Sequence, residues 1–236
     1  MARVVIVIPC YNGARRVAEV VRGALACKLP VLVIDDGSTD ESALVAAEAG
    51  ARVLRHPRNQ GKGAALRTGF RGALSDGATA VLTLDADGQH DPAEIPALLE
   101  AHARAPDALV IGVRSFAPED MPTRSRIGNR ISTFWIGRFA GRLYADTQSG
   151  FRVYPRVLAD MPRLRTTRFD TETELLLCAA KLGLPLVEVP VKTIYADDRV
   201  THFHGLRDTL RVMSLVLGSP IWGRKLRRLR DESAPR

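Results

Sequence analysis

Asp85 and Asp87 stand one residue apart after the apolar run Val81-Leu82-Thr83-Leu84, and their type and spacing suit them to hold a metal ion. Side chains at i and i+2 of an extended segment leave on one side, so the two carboxylates share an edge and repel unless a cation sits between them. Oxygen donors of this kind suit Mg²⁺ or Mn²⁺, ions that also hold phosphate oxygens. Asp85-Ala86-Asp87-Gly88 equally spells an acidic turn closing a strand, and both readings are open from these residues alone. A second pair of acids, Asp35-Asp36, ends the run Val31-Leu32-Val33-Ile34. Adjacent acids there concentrate negative charge in a cleft, and a carboxylate can accept hydrogen bonds from a base or a ribose. Asn59-Gln60-Gly61-Lys62-Gly63 opens a helical pattern whose free amides and lysine would meet an anion. It lacks P-loop spacing, and no Gly-x-Gly-x-x-Gly follows the first apolar run, which argues against ATPase and dinucleotide readings. Ser38 and Thr39 read as helix N-caps, with Asp40 and Glu41 favouring the helix that follows.

The elements that must position these groups alternate. Val4–Ile8, Val31–Ile34, Ala51–Leu54 and Ala80–Leu84 are expected strands; Ala14–Ala26, Glu41–Ala49 and Lys62–Leu74 are expected helices, the second closed by Gly50. A βαβαβαβ run predicts an α/β fold, a mostly parallel sheet with helices on both faces. Ligands of such sheets gather at the carboxyl ends of the strands, where Pro9-Cys10-Tyr11-Asn12-Gly13, Asp35–Asp40 and Asp85–Asp87 all fall.

With 46% hydrophobic and 25% charged residues among 236, the chain has material for a sizeable core, and disorder is not expected. Cys10, Cys27 and Cys178 show no paired spacing, which fits reduced thiols in a cytoplasmic protein, and Val4–Ile8 is too short for a secretory signal. The net charge is uneven. Residues 199–236 hold nine Lys or Arg against three acids, so +6 of the total +8 lies there. Such a segment suits an anionic membrane or nucleic acid, or is simply solvated.

In order along the chain, Ile8-Pro9-Cys10-Tyr11-Asn12, Val33–Asp40, Asn59–Gly63 and Leu84–Pro92 resemble the family 2 glycosyltransferases of GT-A fold. Within that family the resemblance points to dolichol-phosphate mannose synthases and their bacterial polyprenyl-phosphate relatives. Gly112-Val113-Arg114, Asp146-Thr147-Gln148-Ser149-Gly150-Phe151-Arg152, Phe169-Asp170-Thr171-Glu172 and Glu188-Val189-Pro190-Val191 extend it over about residues 4–217. The resemblance implies a GT-A domain over 1–217, with a nucleotide-binding half (1–88), an acceptor half (89–196) and a basic tail (218–236). It implies that Pro9, Tyr11, Asn12, Ile34, Asp36, Lys62 and Ala86 line the nucleotide pocket. Asp85 would face the nucleotide sugar, and Asp87 with Gln89 would hold Mg²⁺ or Mn²⁺ on the diphosphate. Gly13 departs from the pattern, since many relatives carry Glu there.

Arg114, Arg126, Arg130, Arg152 and Arg199 are the candidates to hold a negatively charged acceptor, because guanidinium groups match phosphate geometry. Asp87, Arg114, Asp146 and Glu172 are the candidate catalytic residues. A hydroxyl acceptor needs a carboxylate as general base, whereas a lipid phosphate is already ionised and needs none. Tyr195–Phe203 stands where relatives have a loop that closes over donor and acceptor; His202, beside Phe203, reads as a packing residue. Leu206, Leu210, Met213 and Leu217 share one helical face, predicting a C-terminal amphipathic helix that packs on the domain or lies on a membrane. Ile221-Trp222 and the basic run Arg224–Arg230 follow. Val212–Gly223 is short of the ~18 apolar residues a spanning helix needs.

The expected activity is transfer of a sugar from a UDP- or GDP-sugar to a membrane-associated acceptor, polyprenyl phosphate among the candidates, at the cytoplasmic face of a membrane. A hydroxyl acceptor is the alternative. Two further classes compete. A haloacid-dehalogenase-type phosphatase also uses Asp-x-Asp, but places it after an early strand and follows it with Thr or Val rather than Gly88-Gln89. A non-catalytic scaffold would use only the basic tail, and no aromatic-and-basic pattern marks a nucleic-acid site.

Overall fold

The computed structural model describes residues 3–114, 133, 136–138, 140–161, 166, 170–192 and 194. Its first half is the expected alternation: β1 (Val4–Cys10), α1 (Ala14–Leu25), β2 (Val31–Asp35), α2 (Ser42–Glu48), β3 (Arg52–Arg55), α3 (Lys62–Ser75) and β4 (Ala80–Thr83). A 3₁₀ turn (Pro92–Glu94) leads into α4 (Ile95–Arg104) and β5 (Leu109–Arg114). After these come β6 (Arg152–Pro155), α5 (Arg156–Ala159), α6 (Asp170–Leu182) and β7 (Leu186–Val191). The strands form one seven-stranded sheet in the order β3-β2-β1-β4-β6-β5-β7.

Alternation along each strand sends successive side chains to opposite faces, and both faces are covered. Val5, Val7, Leu32, Ile34 and Val81 pack on Leu66 and Phe70 of α3, Leu158 of α5 and Leu175–Cys178 of α6. Ile6, Ile8, Val31, Val33 and Leu82 pack on Val17, Val20 and Val21 of α1, Ala46 of α2 and Ile95 and Leu98 of α4. Each fully buried branched side chain contributes roughly 1.5–3 kcal/mol.

One strand runs against the rest. β6 pairs antiparallel with both β4 and β5, whereas β5 and β7 are parallel. The segment leading into β6 therefore lies at the same edge as the carboxyl ends of β1, β4 and β5. Arg152 opposes Thr83, and the Thr83 hydroxyl donates to the Gly150 carbonyl at 2.7 Å. This reversal brings the Asp146–Arg152 motif to the cleft beside Asp85.

The helix starts differ from expectation at α2. Ser38 and Thr39 are not its caps, because α2 begins at Ser42 and the loop from β2 turns instead toward the end of β1. The Ser38 hydroxyl accepts from the Asn12 amide at 2.9 Å, and the Asn12 side-chain oxygen accepts from the Thr39 amide at 2.9 Å. Gly13 gives α1 no side-chain cap. Asp40 supplies it from the neighbouring loop, accepting from the Ala14 amide at 3.2 Å, while Ser42 accepts from the Gly13 amide at 2.8 Å. A side chain at Gly13 would meet the Cys10 sulfur at 2.9 Å.

Candidate active site

Two acidic strand ends face the cleft, and their surroundings differ. At β2 both acids are buried and occupied. Asp35 accepts from the Ser38 amide at 3.0 Å and pairs with Arg55 at 3.0 Å. Asp36 accepts from His56 Nδ1 at 2.6 Å, from the Gln60 amide at 3.0 Å and from the Gly61 amide at 2.7 Å. The amides that open α3 do meet an anion, and it is the chain's own Asp36. Gly37 makes this approach possible: it has φ +72, and a Cβ there would lie 2.6 Å from the Arg58 Cα.

At β4 the acids are less fully matched. Lys62, delivered by the first turn of α3, places its Nζ 2.6 Å from Asp85 Oδ1 and 3.2 Å from Glu172 Oε1. Burial is the largest influence on Asp85 and opposes its ionisation, but Lys62, with His90 and Arg114 behind it, holds the carboxyl below its usual range. Burial also opposes the charge on Lys62, and Asp85 with Glu172 overrides it, so the ammonium is held more firmly than usual. The Asp85 carboxylate rests against backbone at Gly150, where a Cβ would come within 2.9 Å of its Cγ. Asp87 is exposed and accepts from the Gln89 amide at 2.9 Å. The walls of the cleft and the neighbouring charge of Asp85 push its carboxyl above the usual range.

The residues expected on the acceptor side come from the second half. Arg114, ending β5, forms a two-pronged bond to buried Asp146, Nε to Oδ2 at 2.6 Å and Nη2 to Oδ1 at 3.1 Å. Burial would raise the Asp146 carboxyl, and this pairing instead lowers it. Glu172, in the first turn of α6, is shifted the other way: burial raises its carboxyl despite Lys62. His90 stacks near Phe151 with its Nδ1 unpartnered among the described residues, and burial lowers its pKa from 6.5 to about 4.

Lys62, Asp85, Asp87, Gln89, Arg114, Asp146 and Glu172 thus meet at one sheet edge, with Tyr11 and Asn12 exposed beside them. Two expected site residues are placed otherwise. Ile34 is wholly buried in the core against α3, so its side chain does not line a pocket. Arg152 is also wholly buried, donating to the carbonyls of Ser149 at 2.7 Å, Glu172 at 2.9 Å and Thr147 at 2.7 Å. Its guanidinium ties the Asp146 turn to the start of α6 and presents nothing to an acceptor. A cationic side chain next to an acceptor motif carried no sign of that burial. Pro9 and Ala86 are buried. Arg126, Arg130, Arg199, the Tyr195–Phe203 segment, the amphipathic helix and the basic tail lie outside the described residues. Sequence reasoning missed His56, which holds Asp36; an isolated His-Pro pair gives no cue to it.

Among the described residues no cluster of three or more His, Cys, Asp or Glu is arranged to hold a metal. Asp87, its neighbour Gln89 and the edge of Asp85 would be a partial donor set only. Such a partial set fits Mg²⁺ or Mn²⁺, which bind through one or two carboxylates and complete their shell with waters and substrate phosphates. Among the described residues, the acids Asp85, Asp87, Asp146 and Glu172 interact with the cations Lys62, Arg114 and Arg152.

Comparison with known proteins gives the class. The profile of glycosyl transferase family 2 matches residues 5–160. The chain belongs to that family and is a glycosyltransferase of GT-A fold. It is 30% identical over 217 residues to UDP-N-acetylglucosamine–dolichyl-phosphate N-acetylglucosaminyltransferase of Methanococcus voltae, covering 81% of this chain and 86% of the relative. It is also 30% identical over 204 residues to undecaprenyl-phosphate mannosyltransferase of Micrococcus luteus, covering 80% and 82%. Among solved structures, glucosyl-3-phosphoglycerate synthase of Mycobacterium tuberculosis in complex with Mn²⁺, UDP and phosphoglyceric acid superposes with a TM-score of 0.71. That match has 18% identity and covers 92% of this chain and 78% of the other.

Proposed function

We propose that this glycosyltransferase moves one sugar, with inversion, from a UDP- or GDP-linked donor to a membrane-associated acceptor, with polyprenyl phosphate as the preferred class. The observation that carries the reading is the Asp85–Asp87 edge, where Lys62 neutralises one carboxylate and the other is left raised and exposed. A divalent ion bound there supplies Lewis-acid and electrostatic stabilisation of the departing nucleoside diphosphate. The chain's own residues do the rest. Lys62 holds Asp85 against Gly150, where it would meet the donor sugar, and the Gln89 amide fixes Asp87, which with Gln89 would hold the ion. Arg114, fixed by Asp146, lends positive charge on the acceptor side. The names of the two lipid-phosphate relatives support the acceptor class. A phosphate acceptor is ionised at neutral pH, so no residue must remove a proton. Glu172 supports a second reading, a hydroxyl acceptor, since a buried carboxyl with a raised pKa can serve as general base.

The basic segment 199–236 supports attachment to the surface of an anionic membrane, at about 1 kcal/mol per Lys or Arg. No described helix is long and apolar enough to cross a membrane. Titrating UDP and GDP calorimetrically with and without Mn²⁺ tests the donor reading, and metal-dependent binding of one of them is expected. Absence of such binding for both would overturn it. Flotation with anionic vesicles, comparing the full chain with a truncation after Gly218, tests the tail; equal flotation removes its role.

A further inference from the structure

Beneath the loop that opens α3 lies a buried chain of three side chains. His56, following β3, is 9% exposed and uses both ring nitrogens: Nδ1 is 2.6 Å from Asp36 Oδ1, and Nε2 is 2.9 Å from the Thr68 hydroxyl on α3. A carboxylate can only accept, so Nδ1 carries the proton that faces Asp36. Asp36 is also the anchor of the Gln60 and Gly61 amides, and the residue after Gly61 is Lys62, the cation on Asp85. One carboxylate thus links the His56 ring to the lysine that neutralises the metal edge.

Counting acceptor positions shows what the ring does. A carboxylate oxygen accepts about two hydrogen bonds. Oδ1 takes two, from His56 and Gln60, and is filled; Oδ2 takes one, from Gly61, and has one position left among the described bonds. Without His56 the carboxylate plane could tilt within the broad torsional well of its χ2 and weaken one of the two amide bonds. With His56 braced by Thr68, the carboxylate plane is set and the remaining position points one way.

We propose that His56 is a positioning residue for donor recognition, which holds Asp36, the Gln60–Gly61 turn and Lys62 in the arrangement that receives a nucleoside diphosphate. Asp36 then offers its remaining acceptor position to an N–H or O–H of the base or ribose. The proposal rests on the nucleotide reading above.

The test measures two things in the full-length wild type, His56→Ala, His56→Asn and Thr68→Val. One is the affinity for UDP and GDP with Mn²⁺ by calorimetry, well below the melting transition; the other is amide hydrogen exchange at Gln60 and Gly61. His56→Ala should weaken the bound nucleotide about tenfold and speed exchange at both amides, as loss of a buried hydrogen bond to a charged group predicts. Asn offers an N–H near the position of Nδ1–H, so His56→Asn should recover most of the affinity. Thr68→Val, which removes only the brace, should cost about threefold, and it carries the test if His56→Ala does not fold. A merely structural histidine would lower the melting temperature and leave affinity and exchange at the two amides unchanged, which would overturn the proposal alone. Wild-type protein that binds neither nucleotide would overturn the nucleotide reading and this proposal with it.

Discussion

The acidic ends of β2 and β4 look alike in sequence and differ in how their charge is met. At β2, two adjacent carboxylates are buried under donors from their own and neighbouring loops: the Ser38, Gln60 and Gly61 amides, Arg55 and His56. At β4, Lys62 answers Asp85, and Asp87 has the Gln89 amide and a raised carboxyl. The first end uses its acids to hold loops together and keeps one acceptor position open on Asp36 among the described bonds. The second leaves an acid in need of a cation. An acidic strand end thus calls for a cation only where the surrounding donors leave its charge uncompensated.

That contrast can be broken most directly at Asp87. Asp87→Asn should lower transfer by about 10²–10³-fold, as loss of a single electrostatic anchor does elsewhere, while the melting temperature is unchanged. Transfer that survives, measured with labelled donor, would show that the β4 end needs no cation. Lys62→Met should also act on stability. Removing one partner of a buried ion pair leaves Asp85 and Glu172 facing each other unpaired, at a cost of about 3 kcal/mol in urea unfolding at neutral pH. A loss below about 1 kcal/mol, the range of exposed pairs, would show that this lysine is not the counter-charge of the β4 end.

His90 sharpens the comparison through pH. Its folded pKa, about 4, lies below the 6.5 of the free side chain. Between these values the unfolded chain binds a proton that the folded chain refuses, so stability falls as pH drops through that window and is unaffected above it. The slope from this residue is about 1.4 kcal/mol per pH unit. The stability difference between wild type and His90→Gln should therefore shift in favour of the variant from pH 6.5 toward pH 4, read by urea unfolding; a pH-independent difference would refute it. The smallest effect belongs to the β2 loop. Asp40→Ala removes the cap that α1 borrows and should cost about 1 kcal/mol, with nucleotide affinity unaltered. A change in affinity would bring this loop into the donor site.

Much of this was legible in the residues. Apolar runs of strand length, separated by helical patterns, placed β1–β4 and α1–α3 within a residue or two, because burial on both faces leaves a continuous apolar signature. The glycosyltransferase motifs, carried in order, identified the family that the profile match establishes. Ser38 and Thr39 were misleading because a hydroxyl before a helix is a capping pattern, and only the approach of Asn12 redirects it. Ile34 and Arg152 were misleading for a related reason: a residue beside a motif shares its neighbourhood, while its side chain can point into the core.

By itself the sequence determined the periodicity of the sheet, the acids at its strand ends and the family to which they belong, since all three reside in local pattern. The tertiary structure alone decided which acids are free to work. The reversal of β6 turns Asp146–Arg152 toward the β4 end, α3 carries Lys62 onto Asp85, and His56 reaches back to Asp36. Coulomb and hydrogen-bond partners act over a few ångströms of space, whatever their separation along the chain.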